Sequence, residues 1–174
     1  MAIDWKAVAK QIGSNGDSYS IDNGRRALEI VVGEDNLRSA VDYWISQEPG
    51  CFVAESVLRI MRPTLAMKRC YEIYKTDPNS EKAISAVFLL ASFADPTALP
   101  WIREFLDDRN RSIRWNALAV LRTILYGPLA DAAVATAMHL IAKAEQDSDP
   151  EIRERAKLIR SEFMSTFPYI QLRE

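Results

Sequence analysis

Two ten-residue segments of the chain follow the same plan, 39 residues apart. The first runs from Asp108 to Ala117 and the second from Asp147 to Ala156. In each, an Asp is followed five residues later by Ile-Arg and nine residues later by Ala, and apolar residues continue at helical spacing. Each segment therefore predicts a polar turn followed by a helix. A unit this small cannot bury its apolar face unless it stacks on a copy of itself.

The same plan appears twice more, less closely, toward the N-terminus. An opening at 77–80 is followed by Ala83, Val87 and Leu90, and one at 48–50 is followed by Val53, Val57 and Ile60. We expect both sets to face inward, as Ile113 and Ala117 should. Helical pairs that recur every roughly 30 to 40 residues are typical of an α-solenoid.

The chain is therefore predicted to be an all-α, right-handed solenoid of about four helix pairs, preceded by two helices. The predicted pairs are about 35–46 with 50–61, 63–75 with 79–93, 96–106 with 111–126, and 129–145 with 150–165. With 174 residues, 48% of them hydrophobic, the chain is long enough to bury one core. We expect a single domain over residues 1–174, with N-terminal helices in 1–33, repeats in 34–165 and a C-terminal tail in 166–174.

The order Asp, Ile-Arg, Ala resembles the turn and second helix of HEAT repeats. The resemblance extends over about residues 35–164 and is closest in the last two repeats. It implies that Asp108, Arg114, Asp147 and Arg153 hydrogen-bond across neighbouring repeats. Such charge-assisted bonds have a fixed geometry and would hold the stacked loops in register. These four residues are thus predicted to be structural.

Charge and apolar patterning argue against several classes of partner. The net charge of −2 gives no general attraction to nucleic acid or to an anionic membrane. No apolar run approaches the roughly 20 residues of a membrane span, and the first residues lack the features of a signal peptide. We therefore expect a cytoplasmic protein that binds neither nucleic acid nor membranes. In that compartment Cys51 and Cys70 are expected to be buried free thiols.

The chain is poor in groups that perform catalysis. His139 is the only histidine, which excludes two-histidine metal motifs and His–Asp–nucleophile triads. The aspartates at 107–108 and at Asp147 and Asp149 are interpreted as helix N-caps and not as cation ligands. We therefore expect no enzyme activity, no metal and no cofactor.

A helical projection at 100° per residue places a defined set of side chains opposite the core of the second helices. The set comprises Trp115, Arg122 and Tyr126, with Arg111 at its edge, and Glu55, Arg59 and Arg62 from the first repeat. Because second helices line the concave surface of HEAT-like solenoids, these residues would form one strip that binds a partner. Trp, Tyr and Arg are the residue types most enriched in binding hot spots. Alternatively, Trp115 is covered by the apolar C-terminal tail or packs between repeats.

Two functions from different classes agree with this sequence. The first is a non-catalytic protein that holds another protein on the concave strip. Segments 34–44, 48–50, 62–63 and 66–75 are similar to a group of small bacterial HEAT-like proteins of polymorphic-toxin loci. That resemblance implies an immunity protein that occupies the active site of a toxin. The second function is an accessory factor for a small molecule or cofactor, similar to the HEAT-like bilin lyases, which would need a sizeable apolar pocket.

A DNA-repair function is a weaker alternative. HEAT-like DNA glycosylases excise alkylated bases with an Asp and aromatic residues in a basic groove, and Trp101 and Trp115 could imitate part of that set. The acidic balance and the lack of a continuous basic stripe argue against it. The oligomeric state is left open by the sequence.

Overall fold

A computed structural model describes residues 3–12, 21–127 and 131–167. These residues form ten α-helices and one short 3₁₀ turn, and they contain no β-strand. The helices are α1 Trp5–Ile12, α2 Ile21–Val32, α3 Glu34–Ile45, α4 Cys51–Met61, α5 Thr64–Thr76, α6 Glu81–Leu90, α7 Leu99–Leu106, α8 Arg111–Leu125, α9 Asp131–Ala144 and α10 Pro150–Thr166. The 3₁₀ turn Pro96–Ala98 precedes α7. The predicted all-α solenoid is confirmed.

The repeats pack as two rows of helices. Helix α8 packs against α6 on one side and α10 on the other, and it also contacts α7 and α9. In the other row, α3 packs against α5, and α7 packs against α9. Side chains join α5 to α7, since the rings of Tyr71 and Trp101 stack with their centroids 4.8 Å apart. Helices α6, α8 and α10 thus form one continuous second-helix layer.

The buried residues form one hydrophobic core that runs from α3 to α10. Ile113 and Ala117 of α8 are fully buried, and so are Ile152 and Ala156 at the equivalent positions of α10. Burial of an Ile side chain stabilises a fold by about 1.5–3 kcal/mol, so these positions fix which face of each helix points inward. The inward faces predicted for α8 and α10 are therefore confirmed.

Helix starts differ from the prediction at the aspartates. Asp149 does cap α10, where it accepts from the backbone N–H groups of Glu151 and Ile152. Helix α8 is instead capped by Asn110. Asp108 and Asp147 accept from the N–H two residues further on, which closes the turn before each helix, while Asp107 ends α7. The N-cap interpretation was wrong for these three aspartates. Asp108 and Asp147 are the acceptors that close the turn before the cap residue, and Asp107 lies at the C-terminal end of the preceding helix.

Helix α4 presents to solvent the face that was predicted to be buried. Val53, Val57 and Ile60 are exposed, with Ile60 at 82%, whereas Cys51, Leu58 and Met61 are buried. Both sets are apolar and both have helical spacing, so periodicity alone does not distinguish them. Packing decides between them, because α4 lies mainly against α3, where the indole N–H of Trp44 donates to Glu55 over 3.1 Å.

Both cysteines are buried free thiols, as expected. Burial strongly raises the pKa of Cys70, because a thiolate would lose its hydration there. Cys70 is therefore not placed as a reactive nucleophile.

Candidate protein-binding surface

Four of the predicted binding residues lie along α8 and at its C-terminal cap. Trp115 is half-buried, and Arg111, Arg122 and Tyr126 are exposed. Each aromatic ring has an arginine beside it: Arg111 lies over Trp115 at 5.7 Å, and Arg122 lies over Tyr126 at 5.6 Å. Cation–π contacts of this kind hold long side chains in place at a surface. The structure thus brings these four residues together on one side of the second-helix layer.

The structure adds Arg155, which is not among the binding residues predicted from the sequence. This side chain of α10 crosses to α8, where its guanidinium lies 4.2 Å from the centroid of the Trp115 ring. We call Arg111, Trp115, Arg122, Tyr126 and Arg155 the α8–α10 surface. The repeat itself indicates this contact, because Arg155 occupies the position equivalent to Asn116. Asn116 donates to the carbonyl oxygen of Ile84 in the preceding second helix. A residue at this register position contacts the neighbouring repeat.

Trp115 packs against the hydrophobic core while keeping part of its ring accessible. Of the apolar tail, residues 168–174 lie outside the described part of the chain, so coverage of Trp115 by them stays a prediction. Phe167 lies against Phe163 and Tyr126, with ring centroids 5.0 and 6.2 Å away. The tail therefore begins beside Tyr126.

A pocket of about 300 Å³ opens on the α8–α10 surface. It is lined by Ala91, Ala119, Arg122, Thr123, Tyr126 and Arg155. The hydroxyl of Thr123 donates to the carbonyl of Ala91 over 2.6 Å, which fixes the turn after α6 against α8. The walls therefore come from the C-terminal cap of α6, from α8 with its cap residue Tyr126, and from α10. Two arginines and the hydroxyl groups of Thr123 and Tyr126 are the polar groups of the lining.

Arg155 has an unusual environment for an arginine. Its buried Nε has no hydrogen-bond partner among the residues that the structure describes. Burial lowers the pKa of Arg155, the charge of Arg122 lowers it further, and Glu162 opposes the shift. Two positive charges thus share one pocket.

The residues predicted on α4 lie apart from this cluster. Glu55 accepts hydrogen bonds from Trp44 and from the hydroxyl of Ser92, and Arg59 is exposed. Arg62 reaches the far end of α8, where its guanidinium lies beside Gly127. Helix α4 therefore borders the C-terminal ends of α6 and α8, and only Arg62 approaches the α8–α10 surface.

Of the four residues predicted to be structural, Asp108 and Asp147 lie in the turns before α8 and α10, and Arg114 and Arg153 lie near the starts of these helices. Arg114 donates to Asp147 of the next repeat through Nε at 2.8 Å and Nη2 at 3.3 Å, and to two carbonyls of its own turn. Arg153 donates to the carbonyls of Asp147 and Ser148. Asp108 instead accepts from the hydroxyl of Tyr74, in the preceding repeat, over 2.8 Å. Cross-repeat bonds therefore join three successive repeats.

A profile of HEAT repeats matches residues 68–158, just over half of the chain. The chain belongs to the HEAT-repeat family. No curated protein and no solved structure matches it. HEAT repeats typically form scaffolds for protein interactions, with an extended surface along the second helices. In this HEAT protein the α8–α10 surface lies within the matched region.

Two further properties concern the described part of the chain. Its helices are too short or too polar for any of them to cross a bilayer. Residues 3–12, 21–127 and 131–167 bring together no group of three or more His, Cys, Asp or Glu side chains with the geometry of a metal site.

Proposed function

We propose that this HEAT protein is a non-catalytic binding protein that holds another protein on its α8–α10 surface. The observation that carries the proposal is the arrangement of two aromatic rings and three arginines around one pocket. Trp, Tyr and Arg dominate binding hot spots because they combine a large contact area with directed polar groups. Their contacts with one another also reduce the side-chain entropy that binding would cost.

The partner that the sequence resemblance favours is a bacterial toxin domain in the cytoplasm, which makes the chain an immunity protein. The similar segments include 34–44 and 66–75, which cover α3 and most of α5. An immunity protein works by occupying an active site, so it needs a preformed surface and no chemistry of its own. The rigid second-helix layer is suited to that role.

The position of the single histidine supports the absence of catalysis. His139 is exposed on α9 and does not line the pocket at Arg155. That pocket, at about 300 Å³, is at the lower limit for small-molecule sites. It fits one side chain of a partner better than a cofactor.

A comparison of two tryptophan variants tests the proposal. Affinity purification from the native host, with mass spectrometry, identifies the partner, and calorimetric titration measures its affinity. We expect Trp115→Ala to weaken binding by about 2 kcal/mol, or roughly 30-fold. Trp5→Ala removes an indole that is 60% exposed on α1, and it should leave the affinity unchanged. Equal affinities per folded molecule for wild type and Trp115→Ala would rule out this surface.

The toxin hypothesis has a separate test. The product of the adjacent gene is expressed alone and together with this chain, and growth is recorded. Growth arrest relieved by the wild-type chain, and not by Trp115→Ala, is the expected result. An adjacent product that is harmless, or that the chain does not neutralise, removes the immunity role and leaves the binding role in place.

A further inference from the structure

We propose that Arg155 and Arg122 form a carboxylate-binding pocket that receives an acidic side chain of the partner protein. This inference rests on the proposed function, because it names the chemistry that the α8–α10 surface recognises. Neither the HEAT-repeat match nor the residue pattern of the repeats assigns a ligand to Arg155.

Within the described part of the chain, Arg155 lacks the carboxylate partner that comparable arginines have. Arg114 and Arg160 are also at least partly buried, and each donates from Nε and a terminal nitrogen to a carboxylate, Asp147 and Glu145 respectively. Arg155 is half-buried too, but its Nε has no acceptor among the described residues. A partly buried guanidinium without a carboxylate partner is costly, and a carboxylate that enters the pocket would compensate its charge.

The Trp115 ring holds the guanidinium of Arg155 in place. The Trp115 ring lies 4.2 Å from the guanidinium carbon. A ring that stacks on a guanidinium covers its face and leaves its edge open. The N–H groups lie in the guanidinium plane, so they can still donate at that edge to a planar acceptor. A carboxylate has the matching geometry, because its two oxygens accept from two parallel N–H groups.

The pocket carries positive charge from two arginines. Arg122 lines the same pocket, and its own ion pair with Glu162 is long, at 3.3 Å, and more than one-third exposed on both sides. The pocket therefore holds two positive charges, of which one is only weakly compensated. An anion placed between them would be attracted to both, in surroundings that include the apolar side chains of Ala91 and Ala119.

The surroundings favour an acidic protein side chain over a nucleic-acid phosphate. Glu162 of α10 acts on the charge of Arg155 and pairs with Arg122. Its carboxylate would repel a chain of phosphates, but the pocket of about 300 Å³ leaves room for one acidic side chain. The net charge of −2 also provides none of the phosphate neutralisation that nucleic-acid binding requires.

The experiment uses two probes that differ only in charge. N-acetylglutamate α-amide and its neutral analogue N-acetylglutamine α-amide are titrated into the isotope-labelled full chain, and the Nε–Hε signals of the arginines are followed by NMR. The Arg155 signal is assigned by its loss in Arg155→Gln. We expect saturable shifts of the Arg155 signal with the acidic probe and none with the amide. In Arg122→Gln the affinity should fall about tenfold.

Matched variants and a second anion complete the test. Arg109→Gln removes an exposed arginine that does not line the pocket, and it should bind the acidic probe as wild type does. Inorganic phosphate serves as the competing anion, and tighter binding of phosphate than of the carboxylate would overturn the proposal in favour of a phosphate ligand. Absence of a shift with either anion would also overturn it. Thermal melting of Arg155→Gln and Arg155→Met shows whether each variant folds, and we expect no loss of stability, since each removes an unpaired charge.

Failure of this pocket is distinguishable from failure of the proposed function. If the partner's affinity depends on Trp115 but is the same for Arg155→Gln, the binding surface stands and the carboxylate pocket is wrong. If the acidic probe binds at Arg155 but no protein binding depends on Trp115, the pocket stands as an anion site and the proposed function is wrong.

Discussion

The polar contact that joins the last two repeats to each other differs in kind from those that join the first two repeats. Between α8 and α10, Arg114 and Asp147 form a pair in which both side chains are largely buried, at 13% and 7% exposure. Between α3 and α5, Arg38 and Arg69 pair with Glu72 and Asp42 at the protein surface. The buried pair has one geometry because each lone pair and N–H must find a partner, whereas exposed pairs tolerate many geometries.

This difference explains where the sequence predicted the helix faces correctly. In α8 and α10 the turn residues fix the start and rotation of each helix, and the apolar face then follows. In α4 no such turn is present: the helix follows Gly50, a residue in the left-handed region at φ 92°, with no side-chain cap. The sequence near α4 therefore contains nothing that shows which of its two apolar faces is buried.

The largest expected effect comes from breaking the buried pair. Arg114→Ala removes the donor from Asp147 and from two turn carbonyls, so it should cost about 3–5 kcal/mol in the free energy of unfolding. Urea denaturation measures this. The matched control is Arg111→Ala, because Arg111 is 49% exposed where it pairs with Asp149 and Glu151, and its loss should change the stability little. Similar losses in both variants would contradict the distinction between buried and exposed pairs.

The second prediction concerns the two faces of α4. Leu58 is fully buried, so Leu58→Ala should lower the free energy of unfolding by about 2–5 kcal/mol. Ile60 is 82% exposed, and Ile60→Ala should change it by no more than about 0.5 kcal/mol. Thermal and urea unfolding of both variants measure the difference. A larger loss for Ile60→Ala than for Leu58→Ala would mean that the face predicted from the sequence is the buried one. The packing of α4 against α3 described above would then be wrong.

The smallest effect is expected from the exposed network between the first two repeats, α3 and α5. A hydrogen bond from Arg38 is the main cause that holds the pKa of Glu72 below its ordinary value of 4.5. Because this pKa is lower in the folded chain, Glu72 contributes stability above about pH 4.5, and the contribution is lost as the pH falls through the folded value.

Glu72→Gln should therefore cause a small loss of stability at pH 7 and a weaker dependence on pH below 4.5. The free energy of unfolding from pH 3 to pH 7, at low and high salt, tests this, and salt should reduce the difference from wild type. A loss at pH 7 as large as that of Arg114→Ala would mean that the exposed network is as rigid as the buried pair.

The sequence by itself determined the helical pairs, their approximate limits and the inward faces of α8 and α10. These features depend on local spacing, on turn residues and on a motif repeated 39 residues apart. The tertiary structure alone decided which face of α4 is buried and that Arg155 lies on Trp115 beside Arg122. Both outcomes depend on contacts between segments far apart in the chain, and no local pattern encodes the neighbour that a side chain will meet there.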